Sequence, residues 1–331
     1  MAVTTAFAPA LRDRIASSRW LGYLLRRLGR LIVSIWVLVT ASFFMIHLIP
    51  GDPVRAAMGL KAASAAVEAR RAAMGLNDPV WQQYLHYLQK LVKGDFGTSI
   101  VTNVQVSQTI SERLPATLQI SVLAFLVVTV LAVPLGLVMA ILTRGGQRGG
   151  LQLGFATSNV ILAAIPDFLL AVVLVYVLSV RLGWFPVAGR SDLSSYVLPV
   201  VALAAGPIGI LSRIVRLETL TVLGDDFIRT ARSKRLPARL IYLRHAMPNA
   251  LTATLTFGGL LLTGLMAGTV LVENVFAWPG LGTTIVQSIQ QKDYPTAQAM
   301  VLVYGGMVLI VNLVVDLLLA VLNPRSTLKE A

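Results

Sequence analysis

Arg229, Arg232, Lys234, Arg235, Arg239 and Arg244 place six cations within sixteen residues, in a chain where only 13% of residues are charged. Their chemistry is attraction to anions; taken alone, such a cluster suits lipid headgroups, nucleic acid or the charge bias that orients a membrane protein. Other reactive side chains are scattered. His47, His86 and His245 are too dispersed to suggest a metal cluster, and the absence of cysteine removes thiolate sites and disulfides. No phosphate loop of the form GxxxxGKS or GxxxxGKT, no HExxH zinc pair and no GxSxG nucleophile elbow occurs. The chain itself is therefore expected to be no enzyme and to hold no metal or cofactor.

The elements that must carry these residues follow from composition. The sequence is 56% hydrophobic with a net charge of +13, whereas an ordinary soluble domain carries roughly 25% charged residues. So much apolar surface calls for a bilayer. Six stretches reach the ~20 apolar residues a spanning helix needs: Leu28 to Leu48, Ala116 to Leu142, Phe155 to Val180, Tyr196 to Ile214, Thr252 to Phe276 and Thr296 to Leu322. The first follows a basic leader but outruns a signal-peptide core, and IHLIPGDP beyond it has no cleavage pattern, so it reads as a retained span. Eighteen Lys and Arg fall in the leader, the second and fourth connections and the tail, from Arg12 to Lys329. The third and fifth connections hold only Arg181, Arg190 and Lys292, and the seven in the long first connection weigh little. Both termini are expected to be cytoplasmic. The basic excess is then mostly orientation bias, and nucleic acid is not an expected partner.

Along the chain, Ser18 to Arg30 should lie at the inner headgroup surface and run into the first span. The connection from Gly51 to Pro115 is punctuated: Ser64 can cap a helix that Gly75 ends, and Asp78-Pro79 signals a second. That second helix sets Val80, Trp81, Tyr84, Leu85, Leu88 and Val92 near one face, to cover the spans or receive an extracytoplasmic partner. Pro115 suits the first helical position of the second span, and Pro134 should kink it. Asp167, with Phe168 beside it in AIPDF, is a candidate for the translocation pathway if it lies at membrane depth, as is Glu273; Asp167 can instead sit near a helix end. Trp184 and Trp278 read as interfacial anchors. Gly264 and Gly268 form a small-xxx-small pair for close packing or an interface. Asn312 and Asp316 share a helix face, with Arg213 or Arg216 as expected partners.

The basic cluster divides in two. Gly224-Asp225-Asp226 is an acidic start for a short helix to about Arg235, and Leu236-Pro237 breaks it and begins another. Arg229 to Leu251, RTARSKRLPARLIYLRHAMPNAL, resembles the cytoplasmic coupling-loop signature of ABC importer permeases, in the form RTARAKGL followed by HALRNAL found in the dipeptide, oligopeptide and nickel import family. GLNDPVWQQY (Gly75 to Tyr84), GDFGTS (Gly94 to Ser99), RLPATLQIS (Arg113 to Ser121), ENVFAWPGLG (Glu273 to Gly282), KDYPTAQ (Lys292 to Gln298) and NLVVDLLLAVLNPR (Asn312 to Arg325) agree as well, so ordered motifs cover about 280 residues.

The resemblance implies a bacterial inner-membrane permease that pairs with a second, similar permease as a heterodimer. It implies two cytoplasmic ATPases, which bind ATP and Mg and drive the permease by alternating access, and an extracytoplasmic binding protein that delivers peptides, with lipid around the spans. The residues it assigns to ATPase coupling are Arg229, Thr230, Ala231, Arg232, Ser233, Lys234, Arg235, Leu236, Pro237, His245 and Asn249. One departure stands out: the family has glycine where this chain has Arg235. Either the turn avoids positive φ, with Pro237 doing the breaking, or Arg235 makes a salt bridge to the ATPase that offsets the strain. The expected fold is an all-α integral membrane protein of six transmembrane helices. A leader covers residues 1–27 and the first span 28–48, an extracytoplasmic segment 49–115, and a permease core 116–331 that includes a coupling loop at 217–251. The rival reading is a stand-alone secondary transporter or channel, but no inverted repeat is found and nothing in that class accounts for the basic loop.

Overall fold

The computed structural model describes residues 18–48, 53–59, 62–73, 75–146 and 148–322. Arg12, Arg14, residues 49–52 of the IHLIPGDP turn, Arg325 and Lys329 lie outside them. Among the described residues regular structure is helical, apart from one isolated β-bridge between Thr98 and Gln105. Five helices are long and apolar enough to cross a membrane, and a bent pair is a sixth candidate.

The centre of the bundle is α5 (Val106–Leu142) packed along α8 (Val197–Val222); the shorter helices before α5 are described below. On α5 the residues Ala116, Ile120, Ala124, Val128, Ala132, Gly136 and Ala140 are all buried at intervals of four. A ridge with that spacing fits the groove of a neighbouring helix, and its small side chains allow close approach. Gly136 is where the approach is tightest: a Cβ there would lie 2.5 Å from the Ser212 carbonyl oxygen and 2.6 Å from Val215 Cβ. Around this pair lie α7 (Asp167–Leu174), α11 (Met247–Val275) and the loop bearing Trp278. On the outside, α1 (Ser18–Leu48) packs against α13 (Tyr294–Leu322), and α12 (Leu281–Gln290) joins α11 to α13.

The third expected span is not one helix. α6 (Gly149–Ala164) and α7, with its π-helical continuation Val175–Arg181, are bent by 93° at the break. Pro166 is the cause: it has no N–H to donate and pushes Ile165 into extended geometry, at φ −81°, ψ 119°. α5 also starts nine residues before Pro115, so that proline is internal, and the helix runs on through Pro134.

In the 49–115 connection the helices are α2 (Pro53–Met58), α3 (Ser64–Ala73) and α4 (Val80–Val92). The signals there are offset by one residue. Ala63, not Ser64, precedes α3 and accepts its first backbone bonds, while Gly75 closes it at φ 70°. Pro79, not Asp78, is the N-cap of α4. The face that α4 turns to α1 is also rotated from the expected one: Tyr84 bonds Thr40 at 2.8 Å, Tyr84 meets Phe43 edge to face with Tyr87 tilted beside it, and Gln83 bonds His47 at 3.2 Å. Trp81, Leu85 and Val92 are left exposed.

Candidate functional site

The basic cluster folds as a short helix on a small core of its own. α9 (Asp226–Ser233) starts after Asp225, whose carbonyl accepts from the Ile228 and Arg229 N–H groups. A one-turn helix, α10 (Ala238–Leu240), follows after Pro237 and opens into a π-helical segment, Ile241–Ala246, that runs into α11. Pro248 offers no donor to the Arg244 carbonyl, and the chain widens just before it. Asn249 Nδ2 donates to the His245 carbonyl at 2.7 Å.

Ile228, Ala231, Ile241, Ala246 and Ala250 are buried together with Val222 and Leu223 from the end of α8, and Leu236 and Tyr242 pack against them. The helix is thereby fastened to α8 and to the root of α11 by side chains. Its opposite face carries Arg229, Thr230, Ser233 and Lys234 in solvent, with Arg235 and Pro237 just beyond. Arg229 pairs with Asp226 at 3.1 Å, an exposed pair of little energetic weight. Arg232 is half-buried, and its Nη2 is buried with no partner.

The eleven candidate positions therefore separate. Arg229, Thr230, Ser233, Lys234, Arg235, Pro237 and Asn249 are open to a partner; Ala231, Leu236 and His245 hold the segment's shape, and Arg232 does some of each. Phe227, absent from the sequence-based set, is 42% exposed in the first turn of α9. Its spacing of three to Thr230 and seven to Lys234 is the signal that could have found it.

Arg235 does adopt positive φ, at 53°. The Leu236 N–H bonds the Ala231 carbonyl at 3.3 Å and the Arg235 N–H the Arg232 carbonyl at 2.8 Å, with Leu236 packed back onto the core. This is a Schellman cap with arginine at the position usually held by glycine. Of the two alternatives for this turn, the one in which Pro237 spares it positive φ is excluded.

The other candidates disperse. Asp167 is in the first turn of α7, its carboxylate set between Gly206 of α8 and Gly268 of α11. It is half-buried with no hydrogen bond or ion pair among the described residues, and Phe168 beside it is exposed. Asn159, one turn before the bend, is buried with its Nδ2 unpartnered.

Glu273 is fully buried and accepts from Thr117 Oγ1 at 2.6 Å and from the Thr283 N–H at 3.2 Å. Thr117 also accepts from the Leu281 N–H at 2.9 Å. The carboxylate thus caps α12, and Gly280 and Gly282 lie so close that a Cβ on either would overlap it. Trp278 is not an interfacial anchor. It is buried, donates to the Ala116 carbonyl at 3.1 Å and meets Tyr196 edge to face, because Ala277 at φ 45° turns it inward. Trp184 remains exposed.

Gly264 faces open space, while α11 meets α13 at Gly259, where a Cβ would overlap Val315. Asp316 pairs with Arg27 at 2.5 Å and Asn312 accepts from the Thr263 hydroxyl; Arg216 instead bonds Thr143. The expected arginines were the wrong ones, since α13 packs beside α1 rather than beside the end of α8.

Residues 132–328 match the family model described as binding-protein-dependent transport system inner membrane component, and residues 20–121 match the N-terminal model of such membrane components. The chain is 36% identical over 309 residues to the glutathione transport system permease protein GsiC of Pectobacterium atrosepticum, covering 93% of this chain and 100% of that one. The protein of the same name from Escherichia coli is 34% identical with the same coverage.

Proposed function

Since this chain belongs to the binding-protein-dependent transport system inner-membrane components, we propose that it forms half of the translocation pathway for short peptides in an ATP-driven importer and receives the ATPase stroke through α9. As a member of that family it is a multi-pass inner-membrane permease of an ABC importer rather than a catalyst. Hydrolysis of ATP, with its Mg, belongs to two cytoplasmic ATPase subunits. A second, similar permease supplies the other half of the path, and a binding protein delivers substrate from outside. The relatives' substrate in name is glutathione, a tripeptide, which favours a peptide of about that size.

The observation that carries the reading is the two-sided construction of α9. Its buried side is bonded into the spans through Ile228, Ala231 and Leu236, and its exposed side presents Phe227, Arg229, Thr230 and Lys234. An element rigidly joined to the bundle on one face and free on the other transmits a push as a lever. Arg229, Lys234 and Arg235 would meet carboxylates of the ATPase, and the unpartnered Nη2 of Arg232 would complete its bonding there. Orientation then follows from the basic residues: both termini and residues 217–251 cytoplasmic, residues 49–115 outside. Asp167 and Phe168, at the broken span, are the pathway candidates this geometry favours. Glu273, already bonded on both oxygens, serves to hold the loop between α11 and α12.

Charge reversal on the open face is the test. The double variant Arg229→Glu, Lys234→Glu leaves the buried side intact, so the permease should accumulate normally while co-purification with the ATPase and peptide uptake are lost. Unchanged co-purification and uptake would sink the coupling role.

A further inference from the structure

α1 has no Lys, Arg, Asp or Glu from Leu31 to Leu48. Those eighteen residues span about 27 Å at ~1.5 Å per residue, close to the ~30 Å hydrocarbon core of a bilayer. Arg27 and Arg30, immediately before this run, are thereby set at the depth of lipid headgroups. Asp316 sits near the C-terminal end of α13 and pairs with Arg27 at 2.5 Å; Arg27 Nε also donates to the Tyr23 hydroxyl at 3.3 Å, which in turn donates to the Asp316 carbonyl at 3.1 Å.

One carboxylate thus stands against two guanidiniums, and it is taken by Arg27. Arg30 is exposed, feels the Asp316 carboxylate only at longer range than Arg27 does, and makes no hydrogen bond or close ion pair among the described residues. Both arginines line a cleft of about 510 Å³ between α1, α11 and α13, whose apolar lining includes Leu31, Phe257, Leu260, Leu309 and Leu313. Apolar walls continuous with an unpaired cation at headgroup level match a molecule with an acyl chain and a phosphate. A net positive rim selects against a headgroup that brings its own cation.

We propose that this cleft binds one anionic phospholipid, its phosphate on Arg30 and an acyl chain between Phe257, Leu260 and Leu313. The site goes beyond the transport reading and does not depend on it. It fills the gap between α1 and α11, both of which already pack on α13.

The test uses the assembled transporter in detergent, delipidated and then offered equal amounts of phosphatidylglycerol and phosphatidylcholine, with bound lipid counted by native mass spectrometry. Wild type should retain one phosphatidylglycerol in preference to phosphatidylcholine. Arg30→Gln should lose ~fivefold of that retention, the ~1 kcal/mol one basic residue contributes near an anionic lipid, while Arg30→Lys keeps most of it. Arg26→Gln, which removes an exposed arginine outside the cleft, should change nothing. Equal retention of the two lipids, or equal loss in Arg30→Gln and Arg26→Gln, would overturn the site. So would displacement of the lipid by excess inorganic phosphate, or a cross-link from Ser34→Cys to the second permease in place of bound lipid.

Discussion

Arg235 carries a side chain in a conformation that costs a non-glycine residue roughly 1 kcal/mol or more, and the cap it closes is otherwise complete. Arg235→Gly should therefore stabilise the permease by about 1 kcal/mol, read as a higher melting temperature, and at the same time weaken ATPase coupling. Coupling that survives the change would show that the guanidinium is not gripping the partner. Ala277 and Lys292 end α11 and α12 with the same cap, at φ 45° and 60°, so three helices among the described residues close this way without glycine. The anomaly at Arg235 was legible in sequence; the sign of φ was not, because it depends on whether Leu236 can reach back to the core. Glu273→Ala should be costlier, leaving the Thr283 N–H buried without an acceptor, at ~1–3 kcal/mol, and the Thr117 hydroxyl with the Leu281 N–H as its remaining partner, and should show as loss of folded permease. Asp192 is exposed, and the Ser194 hydroxyl, then the Ser195 N–H and hydroxyl, hold its carboxyl below the usual carboxylate range. A lowered carboxyl contributes stability above its ordinary value and loses it as pH falls through the lowered one. Amide exchange in the 191–196 turn should accelerate across that acidic window in wild type and show no such step in Asp192→Asn.

Among the elements, the loops beside α5 and α12 are knitted to the helices by two buried acids, Glu273 and Asp293. Asp293 accepts from the Ser99 hydroxyl at 2.5 Å, the Ile100 N–H at 3.0 Å and the Thr296 hydroxyl at 2.7 Å, so one carboxylate joins the segment before α5 to the start of α13. GDFGTS and KDYPTAQ were visible as separate motifs; that they are the two halves of one latch is a tertiary fact. Asp293→Ala should cost ~0.5–2 kcal/mol as a lost cap and tie and make residues 94–105 sensitive to limited proteolysis. The expected face of α4 was half right for a related reason: the 3.6-residue period finds an apolar stripe but cannot tell which edge meets a hydrogen-bonding neighbour. Elsewhere proline was the strongest local signal, yet Pro166 broke a span while Pro115, Pro134 and Pro207 stayed inside helices. Packing by α8 and α11 around the ridge on α5 supports those helices, whereas Ile165 and Pro166 meet the turn where α7 departs.

For the whole molecule, the lack of native cysteine makes orientation directly testable. Trp81→Cys on α4 should react with an impermeant thiol reagent from outside intact cells, and Ser233→Cys on α9 only after the membrane is opened; the reverse would invert the proposed topology. α1 leaves Ile32, Val33, Trp36 and Val37 exposed and α13 leaves Ile310, Val314 and Leu318 exposed, so each has one apolar face open to its surroundings. The sequence by itself determined the solvent, the all-helical class, the approximate position of five spans and the existence of a basic two-part segment. These depend on composition and local period, which a bilayer and the backbone's own hydrogen bonding read directly. Only the tertiary structure decided that the third apolar stretch is bent at Pro166, that Trp278 and Glu273 build a buried loop, that Asp316 belongs to Arg27, and that Phe227 is open while Ala231 is not. Each of those depends on which helix lies beside which, and in an apolar chain nearly every face looks fit to be buried until its neighbour is in place.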